Sequence, residues 1–183
     1  MKKFTERMAA PAANNKYYTT NNVYHAAGYG MPNCTCYAWG RIYEITGKRP
    51  TLSINDAKDY WSHTDGYARG KTPRVGAVAC WKGGADKCGH VAVVERIEIG
   101  GAITVSESCY GGTRFRVRKI PKPYSWGAYT FQGFIYPCPE LYPDVNDIRN
   151  AILTRNKTSQ FDVNADGRVN TKDILYRRKE LKK

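Results

Sequence analysis

The stretch "CTCYAWGRIYEITGKRP" (34–50) places apolar side chains at Tyr37, Ala38, Ile42 and Tyr43, the repeat of one helix face. Gly47 and then Pro50 stop that helix. Pro32 and Asn33 stand just before it in "MPNCTCYAWG" (31–40), so Cys34 and Cys36 both fall on its first turn. Two residues are about 200° of rotation on a helix, so the two thiols cannot face one partner. They must have different roles.

Outward from this helix, "INDAKDYWS" (54–62) predicts a second one, with Asn55 and Asp56 in its N-terminal turn. After the polar "HTDGYARGKTP" the character changes. "GAVACW" (76–81), "GHVAVVERIE" (89–98) and "AITVSESCY" (102–110) are short β-branched and aromatic runs bounded by glycines, which read as antiparallel strands. "TRFRVRKI" (113–120) alternates basic and apolar residues, and "AYTFQGFIYP" (128–137) closes the set. Helices followed by a meander of strands predict an α+β domain. Residues 1–30 carry no sustained period and read as mostly loop. "PCPELYPD" (137–144) holds three prolines and marks a boundary, dividing a main domain (1–138) from a small helical module (139–183).

The 183 residues suffice for one ordinary domain plus an appendage, and 42% apolar residues can fill a core. No apolar run is long enough for a bilayer span, so no membrane insertion is expected. Lys+Arg number 29 against 16 Asp+Glu, a net charge of +13 that favours polyanions. Without a Lys/Arg block, zinc-finger spacing or RNP-like motif, nucleic acid is not an expected partner. "MKKFTERMAAPAANN" has Thr5, Glu6 and Arg7 where a secretory signal has its apolar region, so a cytoplasmic chain, released by another route, is expected. The six cysteines are then expected to be reduced.

The chemistry converges on a few residues. Of three histidines, His25 and His63 lie in no motif and are assigned to loops or surface. His90 opens the strand "GHVAVVE", and Glu107 lies inside the β-run "ITVSES", where a carboxylate is unusual on a sheet face. A thiol at a helix N-terminus ionises more readily, a histidine can hold its proton, and a carboxylate behind the ring fixes its orientation. The order thiol, imidazole, acid on a helix followed by strands is a papain-like arrangement. Cys80, Cys88 and His90 do not have a usual zinc spacing. Trp81, Trp126 and Tyr110 are compatible with a substrate groove or with core packing.

"PNCTCYAW", "TPRVGAVACW", "CGHVAVVE" and "ITVSES" together resemble, in order and spacing, the CHAP domain over roughly residues 12–137. These are cysteine, histidine-dependent amidohydrolases/peptidases that cut peptidoglycan. The resemblance implies Cys34 as nucleophile, Cys36 as a small buried residue, His90 as general base and Glu107 as its orienting acid. Asn33 stands where the family usually has Gln, which makes its side-chain amide, with the Cys34 backbone amide, an oxyanion-hole candidate. Two departures stand out. Many members carry Asn two residues after the acid, where this chain has Cys109. Some bind calcium through acids before the nucleophile, whereas "TTNNVYHAAGYGMP" contains none, so no metal cofactor is expected in the catalytic site.

The tail holds "DVNADGRVNTKD" (162–173), which matches a calcium loop: Asp162, Asn164 and Asp166 as oxygen ligands, Gly167 at the turn, the Arg168 carbonyl, Asn170 through water and Asp173 at the twelfth position. Asp at that last position resembles the dockerin version of the loop. "DVNDIRNAIL" (144–153) resembles the end of a second repeat whose own loop is lost. The alternative is a solvated turn that binds nothing.

The expected function is a peptidoglycan hydrolase of the phage endolysin kind, an amidase or endopeptidase. It would be a monomer, held in the host cytoplasm until release and acting on the cell wall, with teichoic acids as further anionic partners. The alternatives are a bacterial autolysin and a wall-binding or cohesin-binding module whose triad is not productive.

Overall fold

A computed structural model describes residues 4–98 and 100–180. Its centre is an antiparallel sheet of six strands: β1 (Ala68–Gly70), β2 (Val78–Gly83), β3 (His90–Ile97), β4 (Ile103–Glu107), β5 (Arg116–Ile120) and β6 (Tyr129–Tyr136). Their order is β1-β6-β2-β3-β4-β5. Strands β2 to β5 form the expected meander, and β6 returns to the free edge of β2. β1 lies in the polar stretch after residue 62. Its three residues are too few to show an alternation, and it is defined by pairing with the end of β6.

Alternation along the strands makes two cores. Val78, Cys80, Val91, Val93 and Ile135 face one side, while Ala79, Trp81, Ala92, Val94, Val105 and Phe134 face the other. The helix α2 (Cys34–Thr46) covers the first side through Ala38, Trp39 and Ile42. It ends at Gly47, whose φ of +71° admits the left-handed cap and whose amide donates to the Tyr43 carbonyl at 2.8 Å.

The outer face of α2 is covered too. Tyr18 stacks on Tyr37 at 5.4 Å and Tyr17 meets Tyr43 edge-on at 5.1 Å. A Cβ on Gly40 would come within 2.6 Å of the Tyr17 carbonyl oxygen, so glycine lets this segment approach. Residues 4–30 are mainly turns with one short helix, α1 (Val23–Ala26), and they cover α2. Buried Glu95 of β3 ties them down. It accepts from Arg41 Nε and Nη2, both at 2.9 Å, from Ser106 Oγ at 2.6 Å and from the Arg7 amide at 2.8 Å.

The helix expected at 54–62 is only a 3-10 turn, Ala57–Asp59. Its backbone groups are engaged elsewhere. The Lys58 amide donates to the Cys88 carbonyl at 2.8 Å, and the Tyr24 hydroxyl lies 2.7 and 3.0 Å from the Ser53 and Asn55 carbonyls. Tertiary partners have replaced the i to i−4 ladder.

Beyond Cys138, Leu141 is 2% exposed and belongs to the core beneath α2. Two helices follow, α3 (Val145–Leu153), opened by a capping box between Asp144 and Asp147, and α4 (Thr171–Glu180). The Tyr176 hydroxyl lies 2.7 Å from Thr72 Oγ1, and Arg177 Nε donates to the Pro143 carbonyl at 3.0 Å. The six cysteines are free thiols. Among the described residues no helix is long and apolar enough to cross a membrane.

Candidate active site

Cys34 is the first residue of α2. Asn33 is the N-cap, its Oδ1 accepting from the amides of Thr35 (2.8 Å) and Cys36 (3.3 Å) and from the Thr35 hydroxyl (2.6 Å). The Asn33 amide in turn donates to Ser108 Oγ at 3.0 Å, which ties the cap of α2 to the loop leaving β4. The Asn33 side-chain oxygen is thus committed to the helix, and of its amide only Nδ2 can donate outward.

The two thiols separate as the helix geometry requires. Cys34 lines a cleft of about 470 Å³ together with Asn33, His90, Cys109, Arg116, Trp126 and others. Cys36 is fully buried, its Sγ directed at the Tyr18 carbonyl at 3.9 Å, and burial pushes its thiol up to about 12.

His90 opens β3 beneath the N-terminus of α2. Gly89 precedes it with φ +77°, and a Cβ there would lie 2.6 Å from the Trp81 carbonyl oxygen, so the turn into His90 requires glycine. His90 Nε2 lies 2.6 Å from Glu107 Oε2, across the β3–β4 pair. Cys34, on the same cleft wall, also acts on the ring. Burial alone would lower the imidazole, but the hydrogen bonds to Cys34 and Glu107, and their charges, raise it to about 9. Trp81, Tyr129 and Trp126 surround the ring with centroids at 6.0, 5.9 and 6.3 Å.

Glu107 is fully buried at the end of β4. Its Oε1 accepts from Arg116 Nε and lies 2.7 Å from Arg118 Nε, an ion-pair contact without good hydrogen-bond alignment. Arg118 Nη2 reaches Oε2 at 3.4 Å. Burial would raise this carboxyl, but the hydrogen bond and charge of His90, with the two arginines, hold it down at about 2. Arg118 also lies 4.1 Å over the Trp126 ring. The arginines come from β5, where Arg116 pairs directly with Glu107.

The structure therefore brings Cys34, His90, Glu107 and Asn33 to one place. His25 and His63 are exposed. Trp81 is buried in the core, whereas Trp126 and Tyr110 line the cleft. Cys80 is buried in the core under α2, away from any zinc-like cluster. Three residues were missed from sequence: Arg116, Arg118 and Ser108. The alternating basic residues of "TRFRVRKI" were the available signal for the arginines. Nothing local marks Ser108.

In the tail, Asp162 Oδ1 and Oδ2 accept from the amides of Asp166 (3.0 Å) and Gly167 (2.7 Å). Asn164 Oδ1 also accepts from Asp166, at 2.9 Å, and buried Asp173 accepts from the Asn164 and Asn170 amides at 3.3 and 2.8 Å. Gly167 has φ +86° at the sharp turn. Burial raises the carboxyls of Asp162 and Asp173, and repulsion from Asp166 adds to both. A loop that gathers negative charge in this way has the hard oxygen donors a calcium ion takes.

Fold and site define a class: an α+β domain presenting a helix-terminal thiol to a buried imidazole–carboxylate pair. Residues 24–108 match the family model of the CHAP domain. The probable autolysin LDP of Staphylococcus aureus is 34% identical over 122 residues, which are 66% of this chain and 42% of that protein. Residues 24–108 are thus similar to the CHAP domain, and about two thirds of the chain is similar to part of that autolysin. A solved structure of an N-acetylmuramoyl-L-alanine amidase from Staphylococcus aureus resembles 57% of this chain and 32% of its own, at 24% identity and a TM-score of 0.45. The chain spans less than half the length of either protein.

Proposed function

We propose that this chain hydrolyses an amide bond of peptidoglycan through the Cys34 thiolate. Convergence of Cys34 with the buried His90–Glu107 pair on one cleft carries the reading. The Cys34 sulfur attacks the carbonyl carbon and the carbonyl π pair moves to oxygen. Collapse of that intermediate expels the amine, which takes the His90 proton, and leaves a thioester on Cys34. A water then gives its proton to His90, attacks the thioester and releases the carboxylic acid. Glu107 holds the ring and its positive charge throughout. The Cys34 backbone amide, first in the helix and without an intrahelical acceptor, and Asn33 Nδ2 serve the oxyanion. The bond is either the muramoyl–alanine amide or a peptide bond of the stem or cross-bridge, chosen by the shape of the cleft.

Loss of turbidity of purified walls, followed by mass spectrometry of the products, tests this. Cys34→Ser should lower the rate by at least about 10³-fold, while Cys36→Ser should keep most of it. Equal clearing by the wild type and Cys34→Ser refutes the thiol mechanism. No clearing by either turns the reading to a binding module.

Asp162, Asn164, Asp166, the Arg168 carbonyl and Asp173 are the residues we assign to a calcium ion, whose charge would relieve their repulsion and fix the tail. A cytoplasmic endolysin released by lysis is one setting for this activity. A wall-resident autolysin is the second, favoured by the autolysin relative. In both settings the net charge of +13 favours an anionic wall and its teichoic acids.

A further inference from the structure

The proposed reaction leaves two thiols of the cleft wall unused, Cys88 and Cys109. Cys109 lies two residues beyond Glu107, half-buried, on the wall shared with Cys34 and His90. His90, Glu107 and Cys109 each bring one ligand atom within 4.8 Å of the other two, the one such group among the described residues. Nitrogen, carboxylate oxygen and sulfur together are the mixed donor set of zinc-type cations, which bind them at about 2.0–2.3 Å.

We propose that His90, Glu107 and Cys109 form a binding site for a thiophilic divalent cation of the zinc type, and that its occupancy withdraws the imidazole from catalysis. The blocking half rests on the function proposed above; the binding half does not. The charge balance defines the mode of binding. Arg116 and Arg118 engage Glu107 Oε1 most closely, which leaves Oε2, the atom now facing His90 Nε2, as the carboxylate donor. The cation replaces the proton between these two atoms, and the Cys109 thiol releases a second proton as it binds. One divalent cation enters and two protons leave, so binding strengthens as pH rises. Cys34 is not among the side chains that meet within 4.8 Å and is not a ligand. Asn in place of Cys109 would offer no thiolate, which makes that substitution the natural control.

Titrating the full chain with Co²⁺ alone should produce a thiolate-to-cobalt charge-transfer band in the near ultraviolet, which Zn²⁺ abolishes. Cys34→Ser and Cys88→Ser should keep the band, while Cys109→Asn, or Cys109→Ser if the Asn variant melts early, should lose it. The tail loop offers only oxygen donors and gives no such band. Zn²⁺ should inhibit wall clearing, and the Cys109 variants should need at least about tenfold more of it. A band that persists without Cys109, that disappears with Cys34 or Cys88, or that never forms overturns the site. If the metal-free wild type clears no wall, the hydrolase reading fails, while the cobalt band still decides the site.

Discussion

His90 and Glu107 meet at 2.6 Å with both side chains out of solvent, and each shifts the other's protonation. The imidazole, raised to about 9 from the usual 6.5, contributes stability fully below the lower value and loses it as pH climbs through the upper one. The carboxyl, lowered to about 2 from 4.5, contributes above 4.5 and loses it as pH falls towards 2. The pair is worth most between these windows, from 4.5 to 6.5. In urea denaturation, the gap in midpoint between wild type and Glu107→Gln should be widest near about pH 5.5 and clearly narrower near about pH 9.5. A constant gap would show that the two groups are not linked in this way.

Ser108 should matter to catalysis without touching substrate. Ser108→Ala strands the Asn33 amide, which costs about 1–3 kcal/mol of stability and loosens the cap that positions Cys34. Wall clearing should fall several-fold, and Ser108→Thr should restore part of it. An alanine variant as stable and as active as wild type would remove Ser108 from the positioning role.

Glu95 anchors the N-terminal cover. Glu95→Ala leaves buried Arg41 without its main counter-charge and should cost about 3–5 kcal/mol, read by chemical denaturation. The double change Arg41→Met with Glu95→Leu should recover much of that loss, since it removes both charges. If the double variant is no more stable than Glu95→Ala, the cover is held by its backbone contacts instead.

Calcium should raise the melting temperature of the full chain. The gain expected is about 2.7 kcal/mol at a hundredfold excess over the dissociation constant. Asp162→Ala and Asp173→Ala should each abolish the shift. Because both carboxyls are raised, protons compete with the ion and the shift should shrink as the solution is made acidic. An unchanged melt with calcium would reduce the loop to a turn.

The parts that were legible in the sequence are those where local pattern and tertiary structure agree. The Gly47 stop and the glycine-bounded β-branched run "GHVAVVE" each place backbone by a local rule, and the end of α2 and the start of β3 fall where those rules put them. The segment 54–62 was misread because its helical bonds lose to the Cys88 carbonyl and the Tyr24 hydroxyl, partners distant in sequence. Arg116 was legible as a strand residue but not as a site residue, because its role depends on the β4–β5 register that sets it opposite Glu107. Ser108 escaped for the same reason, its acceptor role depending on where the cap of α2 lands.

Leu141 has a practical consequence for anyone shortening this protein. The prolines invite a cut just after Cys138, but that cut would remove a buried leucine from the core that also holds the inner face of α2. The smallest fragment expected to keep its shape therefore runs at least to Pro143, with a hydrophobic plug retained at its end.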